Sequence, residues 1–584
     1  MKELKYLNKY LLKYRKKLLL GFFIVIVARV LLLFTPGLIR NSVNVVELYL
    51  NGEIDSVSDV QIELVKNIFL ILLASISAGI FTFLTRQTII NVSRFVEFDL
   101  KNEIFVQYQN LSMNFYKKNR TGDLMNRISE DVSKVRMYFG PAIMYSINTF
   151  SLIAITLFYM FRQSPELTFY TVCPLPILSF AIFKISRKIN LKSKVVQESI
   201  SKLSSFSQEI FSAIKIIKSY AIQETTKKKF NKISKLNKDN QIELVRIQAM
   251  FFPLMIFLIG ISNLFVIYIG GSKYLDGSIQ QLGIIAEFII YVNMLTWPVA
   301  SLGWISSVVQ QAEASQKRIN EFLKQKNDII QHGKISKNIS GKIKVENLSY
   351  KYDDSGIKAL KKINFCLEAG NSLGIIGSTG SGKTSLINTI LRTLDFDNGK
   401  ILIDDISIKK FDIQKLRAQI GIVNQDSFLF SDSISNNVRF GSKKEDITSI
   451  IRVSKICSIH NEIINFKNQY STLLGERGVN LSGGQKQRLC IARALVKNPK
   501  ILILDDCLSA LDNKTENEIL KKIKKNYKNS SKIIVSHRVS SIQDCDNIIV
   551  MHDGEIIQIG KHNDLINTDG YYKNLFLDQS NNKE

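Results

Sequence analysis

Residues 371–390 read NSLGIIGSTGSGKTSLINTI. A short apolar run at 373–376 ends in a glycine-rich turn, and the turn opens into a helical pattern. Strand, loop and helix in that order form the context in which such a loop cradles phosphate. Gly377, Gly380 and Gly382 let backbone N–H groups point inward around an anion. Ser378, Thr379, Ser381 and Ser385 complete the loop and the first helical turn. Lys383 is placed to reach the outer phosphates, and Thr384 to hold a magnesium ion. Short strand-like runs alternate with helical ones on either side, so the C-terminal part reads as an α/β domain.

Two further stretches belong to the same chemistry. ILILDD at 501–506 is a buried parallel strand ending in two acids. Asp505 is the expected metal-holding carboxylate, and Asp506 stands where a water-activating acid belongs. LSGGQKQR at 481–488 sets Ser482, Gly483, Gly484 and Gln485 ahead of a predicted helix, which makes a second anion-binding N-terminus. One nucleotide does not easily use two such cradles from one chain. Two chains arranged head to tail, each lending its second cradle to the other, is the economical solution.

The N-terminal part is of another kind. Six apolar stretches, near 18–39, 67–85, 139–161, 167–185, 249–270 and 282–309, are long enough to span a bilayer. Residues 40–66 carry Glu47, Glu53, Asp55, Asp59 and Glu63 against only Arg40 and Lys66. The long segments 86–138 and 184–248 are rich in lysine and arginine. The positive-inside bias therefore puts both long loops and both termini in the cytoplasm. Much of the net charge of +27 is accounted for in this way, and a nucleic-acid partner is not expected. Arg29 and Glu287 fall inside apolar runs at different depths, so the sequence assigns no pair between them, and each reads either as a functional charge or as one that snorkels or faces a water-filled cavity. Prolines at 36, 141, 174, 176, 253 and 298 lie in or beside spans and read as kinks. Six cysteines without a CxxC pair read as reduced thiols.

GSTGSGKT, LSGGQ, ILILDD and SHR at 536–538, in this order behind six spans, resemble an ATP-binding cassette (ABC) exporter half-transporter. FYKKNRTGDLMNRISEDVSKVRMYFGPAIM at 115–144 and NQDSFLFSDSISNN at 424–437 resemble the bacterial multidrug-resistance-like (Mdl) branch, which also carries the double aspartate. The resemblance implies an all-α six-helix transmembrane domain over 1–325, a linker at 326–341, and an α/β P-loop ATP-binding cassette over 342–584. It implies ATP and Mg2+ as cofactors, with Thr384, Gln425 and Asp505 at the metal. Tyr352 would stack on adenine, Gln425 would sense the metal and the attacking water, and His537 would contact the γ phosphate. Ser482, Gly483, Gly484 and Gln485 would cap the partner's ATP, and Asp512 would sit in the loop that crosses to it. Short coupling helices are expected near 117–125 and 217–224. His332, His460, His552 and His562 read as solvated.

Aspartate at 506 is one methylene shorter than the usual glutamate. With the backbone unmoved, its carboxylate is drawn back by about 1–1.5 Å, and misplacement on that scale costs roughly a hundredfold in rate. ATP binding through Lys383, Thr384 and Asp505 would be untouched. Exporters of the resembled family with one weakened site are typically heterodimers, so the resemblance implies a second half-transporter that supplies the glutamate. The alternatives are a homodimer with two slow sites and a nucleotide-binding regulatory subunit. The expected cargo is an amphiphilic small molecule or lipid, moved out across the inner (plasma) membrane. Its identity is not legible.

Overall fold

Inside a bilayer no water is present to satisfy the backbone, so long apolar segments fold as helices. The computed structural model describes residues 2–329, 333–442 and 446–581. Five helices in it are long and apolar enough to cross a membrane: α1 (Arg15–Leu50), α2 (Val57–Asn110), α3 (Thr121–Gln163), α6 (Gln223–Leu275) and α7 (Gly283–Leu323). The expected stretch 167–185 is divided at Cys173 between α4 (Pro165–Val172) and α5 (Pro174–Ser212). The side chains of residues 175, 178 and 179 in it lie outside the described residues. The chain folds as two compact units, Met1–Gln109 with Arg120–Gln325, and Asn110–Asn119 with Lys326–Glu584.

In the first unit, Leu152, Met160, Leu167, Val266, Phe288 and Tyr291 belong to one buried cluster. Single π-helical turns interrupt α2 at Arg86–Ile90 and α3 at Arg127–Asp131 and Tyr138–Ala142. The last contains Pro141, whose missing N–H the wider turn accommodates. Gly140 in that turn presses on α2: a Cβ there would lie 2.7 Å from Ser93 Oγ. Pro36 and Pro298 sit inside α1 and α7.

Glu287 is 1% exposed. It accepts hydrogen bonds from Arg40 Nη1 at 3.2 Å and from the Tyr291 hydroxyl at 2.7 Å. Its cation therefore comes from a residue that the sequence assigned to the acidic loop. The Nε of Arg29 is buried without a hydrogen-bond partner among the described residues.

The second unit holds two sheets. A four-stranded antiparallel sheet runs β2–β1–β4–β5, with β1 (Ile343–Lys351), β2 (Lys358–Leu367), β4 (Asn398–Ile403) and β5 (Ile406–Ser407). The six-stranded sheet runs β10–β9–β3–β8–β7–β6. It contains β3 (Ser372–Gly377), β6 (Ile420–Val423), β7 (Ile501–Asp505), β8 (Ser531–Val535), β9 (Asn547–His552) and β10 (Glu555–Gly560). All of its pairs are parallel except β9–β10. Every residue of β3, β7 and β8 is buried, as expected of strands covered on both faces. Because β3, β7 and β8 are parallel neighbours, their C-terminal ends, and the loops that follow, lie together.

The segment expected as a linker is held along the second unit. Ile335 bridges to Phe411, and Ile339 N donates to Gln419 Oε1 at 2.9 Å. The Asp404 carboxylate accepts the Ser340 hydroxyl and the N–H groups of Ser340, Gly341 and Lys342. Burial alone would raise the pKa of Asp404, but these donors outweigh it and hold the carboxyl below its ordinary value. Stability from a depressed carboxylate is complete above its unfolded pKa and is lost as pH falls through the folded one. Asp404→Asn keeps a residue that tolerates the left-handed backbone here (φ 51°) but removes the charge. We expect it to cost about 1–2 kcal/mol, read as a lower urea midpoint of the cassette at pH 7. The difference from the parent chain should begin to shrink as pH falls below about 4 and vanish only below the depressed folded pKa.

Candidate functional site

The loop after β3 carries the first expected cradle. Gly380 and Gly382 adopt φ of 85° and 99°, a region that favours glycine. A Cβ at Gly382 would lie 2.4 Å from the Ala359 carbonyl oxygen, so the loop also needs glycine for space. Helix α8 (Lys383–Ile390) follows at once. Lys383 is 7% exposed, and its Nζ donates to the carbonyls of Gly377 and Ser378, both at 2.8 Å. Burial lowers the pKa of this ammonium, while Asp506 and Asp505 pull it back up. The Ser381 hydroxyl is buried with no hydrogen-bond partner among the described residues.

Strand β7 ends on Asp505, which is 4% exposed. Burial pushes its carboxyl up, opposed by a hydrogen bond with Thr384 and by the Lys383 and His537 charges. Asp506 lies beyond the strand, in the left-handed region at φ 46°. Its N–H donates to the Val535 carbonyl at 2.9 Å, which ties it to β8. Its Oδ2 accepts from Gln425 Nε2 at 3.1 Å and lies 4.0 Å from His537 Nε2. Thr384, Gln425, Asp505, Asp506 and His537, distant in sequence, thus line one cavity of about 500 Å³.

Tyr352, just past β1, lines the same cavity. Its hydroxyl shares a hydrogen bond with the Ser385 hydroxyl at 2.9 Å, and Tyr350 packs edge-on at 4.9 Å. Lys117, on the short helix Met113–Lys118 of the same unit, places Nζ 4.9 Å from the Tyr352 ring centroid. The ring expected for adenine thus already meets a cation. The coupling segment expected at 117–125 straddles the end of this helix and the start of α3.

Ser482 caps α9 (Gly483–Leu495) in a reciprocal box with Gln485. Ser482 Oγ accepts from Gln485 N at 3.3 Å, and Ser482 N donates to Gln485 Oε1 at 2.9 Å. Gln485 Nε2 also reaches Glu462 at 2.9 Å. None of residues 482–485 lines the Lys383 cavity. Asp512 caps α10 (Asn513–Asn526), accepting from Thr515 N at 2.9 Å, a bond that lowers its carboxyl pKa.

Several residues here escaped the sequence. Lys358, Lys361, Asp553 and Gly554 line the cavity. Asp553 and Gly554, both at positive φ, turn the β9–β10 hairpin. The Asp-Gly pair between two apolar runs was the available signal. Gln487 accepts from Ala510 N at 3.0 Å and so ties α9 to the segment that ends at Asp512. His460 and His562 were read as solvated, yet each shares a hydrogen bond with a tyrosine, Tyr470 and Tyr572. His552 is exposed as expected, and His332 lies outside the described residues.

Two family models match the chain. One, described as the ABC transporter transmembrane region, matches residues 18–299, and one described as ABC transporter matches 360–509. The multidrug resistance-like ATP-binding protein MdlA of Buchnera aphidicola subsp. Schizaphis graminum is 36% identical over 88% of this chain and 89% of its own. An ATP-dependent lipid A-core flippase of Syntrophus aciditrophicus is 33% identical over 81% of this chain and 79% of its own. A bacterial Atm1-family ABC exporter solved with ATP bound superposes with a TM-score of 0.79, covering 97% of this chain and 99% of that one at 22% identity, and so shares the fold. The chain belongs to the ABC transporter family, as an exporter with a transmembrane region fused to an ATP-binding domain. Multiple membrane-spanning helices make it a multi-pass membrane protein.

Because a Cβ at Gly382 meets backbone, the neighbour cannot yield without moving β2. Gly382→Ala should keep the protein folded and in the membrane. We expect it to weaken ATP binding by about tenfold or more, from strain of roughly 1–3 kcal/mol. Equilibrium binding of a fluorescent ATP analogue checks this.

Proposed function

We propose that the chain is one half of an ATP-driven exporter that moves amphiphilic small molecules or lipids outward, with Asp506 making its own ATP site slow. The observation that carries this is the separation of two anion cradles within one chain. Lys383, Thr384, Asp505, Asp506, Gln425 and His537 share a cavity from which Ser482, Gly483, Gly484 and Gln485 are absent. A nucleotide held at Lys383 therefore needs its second cradle from another chain.

In this reading the loop 377–385 binds the phosphates through backbone N–H groups and the Lys383 ammonium, and Tyr352 carries the adenine. Lys117 would leave the ring or stay against its outer face. The Thr384 hydroxyl, the Asp505 carboxylate and the Gln425 amide oxygen are hard oxygen donors, which suit Mg2+. The unpartnered Ser381 hydroxyl is a polar group of the kind a phosphate or metal-bound water satisfies. The ion would neutralise phosphate charge. Asp506, held by Gln425, orients the attacking water, and His537 faces the γ phosphate. One methylene too few leaves the Asp506 carboxylate short of its in-line position.

Three features support a partner chain. The cap at Ser482 is formed, and it does not line its own chain's cavity. Asp512 is exposed at the start of α10. The second expected coupling segment, 217–224, begins in the short helix Ile214–Ser219 and runs past its end; Phe211, just before that helix, is 72% exposed and Tyr220, just after it, 74%. We favour a sister chain that carries glutamate at the position of Asp506. Multidrug and lipid names among the relatives favour amphiphilic cargo. The lysine-rich segments support a reading with both termini in the cytoplasm and the chain in the inner (plasma) membrane.

The test is the rate of Mg-ATP hydrolysis by the chain in nanodiscs. Asp506→Glu should raise kcat by about a hundredfold with KM nearly unchanged. Lys383→Ala should abolish ATP binding. An Asp506→Glu variant no faster than the parent would remove the reading of Asp506 as the limiting group.

A further inference from the structure

A second cavity of about 390 Å³ opens at the other end of the six-stranded sheet, by the N-terminal ends of β3 and β8. Its size lies within the range of small-ligand sites, about 300–1,000 Å³. Leu502, Leu504 and Ile534 of β7 and β8 form the floor, and Leu520 and Ile523 of α10 the apolar wall. Lys521, Lys524 and Lys528 stand at the rim, with Asp544 and Asp546 the only acids among the described residues of the lining.

Lys532 is the telling residue. It is 6% exposed and lies on β8, on the same face as Ile534. Its Nζ donates to the Ser530 carbonyl at 2.8 Å and, among the described residues, to no carboxylate. Asp546, in the same lining, is already engaged by Ser372 N and Oγ at 2.8 and 2.7 Å. Burial pushes the Lys532 ammonium below its ordinary pKa; Asp546 opposes this shift and Lys524 adds to it. Cations in the last turns of α10 are what a helix C-terminus favours, which explains Lys521 and Lys524. That preference does not extend to a lysine buried in a strand. A buried ammonium without an ion pair is costly unless an anion meets it.

We propose that this cavity binds a small organic anion with an apolar body, a carboxylate or phosphate monoester whose charge meets Lys532. The site is separate from the ATP cavity and does not depend on the transport reading. It shares no lining residue with the ATP cavity, and its α10 wall runs from Asn517 to Lys524.

The experiment is calorimetric titration of the full chain in nanodiscs with 4-phenylbutyrate, 4-phenylbutyl phosphate and the neutral 4-phenylbutanol. At least one anion should saturate a single site, and the alcohol should not. Lys532→Met should weaken the anion by about tenfold or more. Leu520→Trp, which fills the cavity and leaves the ammonium in place, should do the same, and both variants should still bind Mg-ATP. Tighter binding of the carboxylate assigns an acyl-type ligand, and tighter binding of the phosphate assigns a phosphomonoester. No saturation by either anion at about 1 mM would overturn the proposal, as would binding unchanged in both variants.

Discussion

Lys383 is a nearly buried cation whose hydrogen-bond partners are two neutral carbonyls. The rest of the cassette is arranged so that this charge is available. Gly380 and Gly382 take positive φ to bring the chain around it, and β7 sets Asp505 beside it without an ion pair. Burial presses the ammonium toward its neutral form, and an arriving phosphate would restore the charge. The protein therefore holds this ammonium in a state that a bound anion would relieve.

The same logic separates the two cradles. Ser482 and Gln485 satisfy each other and Glu462, so the start of α9 is stable without nucleotide. Its first N–H groups nonetheless lie outside the Lys383 cavity. Gln487 links α9 to the segment that leads from Asp506 to Asp512. The segment that follows Asp506 and the start of α9 are thus joined by a hydrogen bond within one chain. That connection is what a two-chain sandwich requires if closure over one nucleotide is to be felt at the other.

The motifs were legible because each depends on local backbone geometry. Gly380 and Gly382 report positive φ directly, and the apolar run 501–504 reports a strand buried on both faces. The path of the 326–341 segment was not legible, because it depends on Asp404 meeting three successive N–H groups from far along the chain. Glu287 was visible as a buried charge, but its partner Arg40 was not. Pairing depends on helix rotation and on a long side chain reaching along it. The left-handed backbone of Asp506 was equally hidden, since aspartate there carries no sequence mark of its φ. Lys117 over Tyr352 joins residues more than two hundred positions apart, which no local pattern announces.

A two-chain nucleotide site can be tested by mapping where a γ-phosphate photoreactive ATP attaches in membranes holding isotopically distinguishable chains, this one with a second copy or a sister chain. Each nucleotide should mark residues 378–385 of one chain and the LSGGQ segment of the other. Label on 378–385 and 482–485 of the same chain, or no label on any second chain with Mg-ATP present, would contradict a shared site.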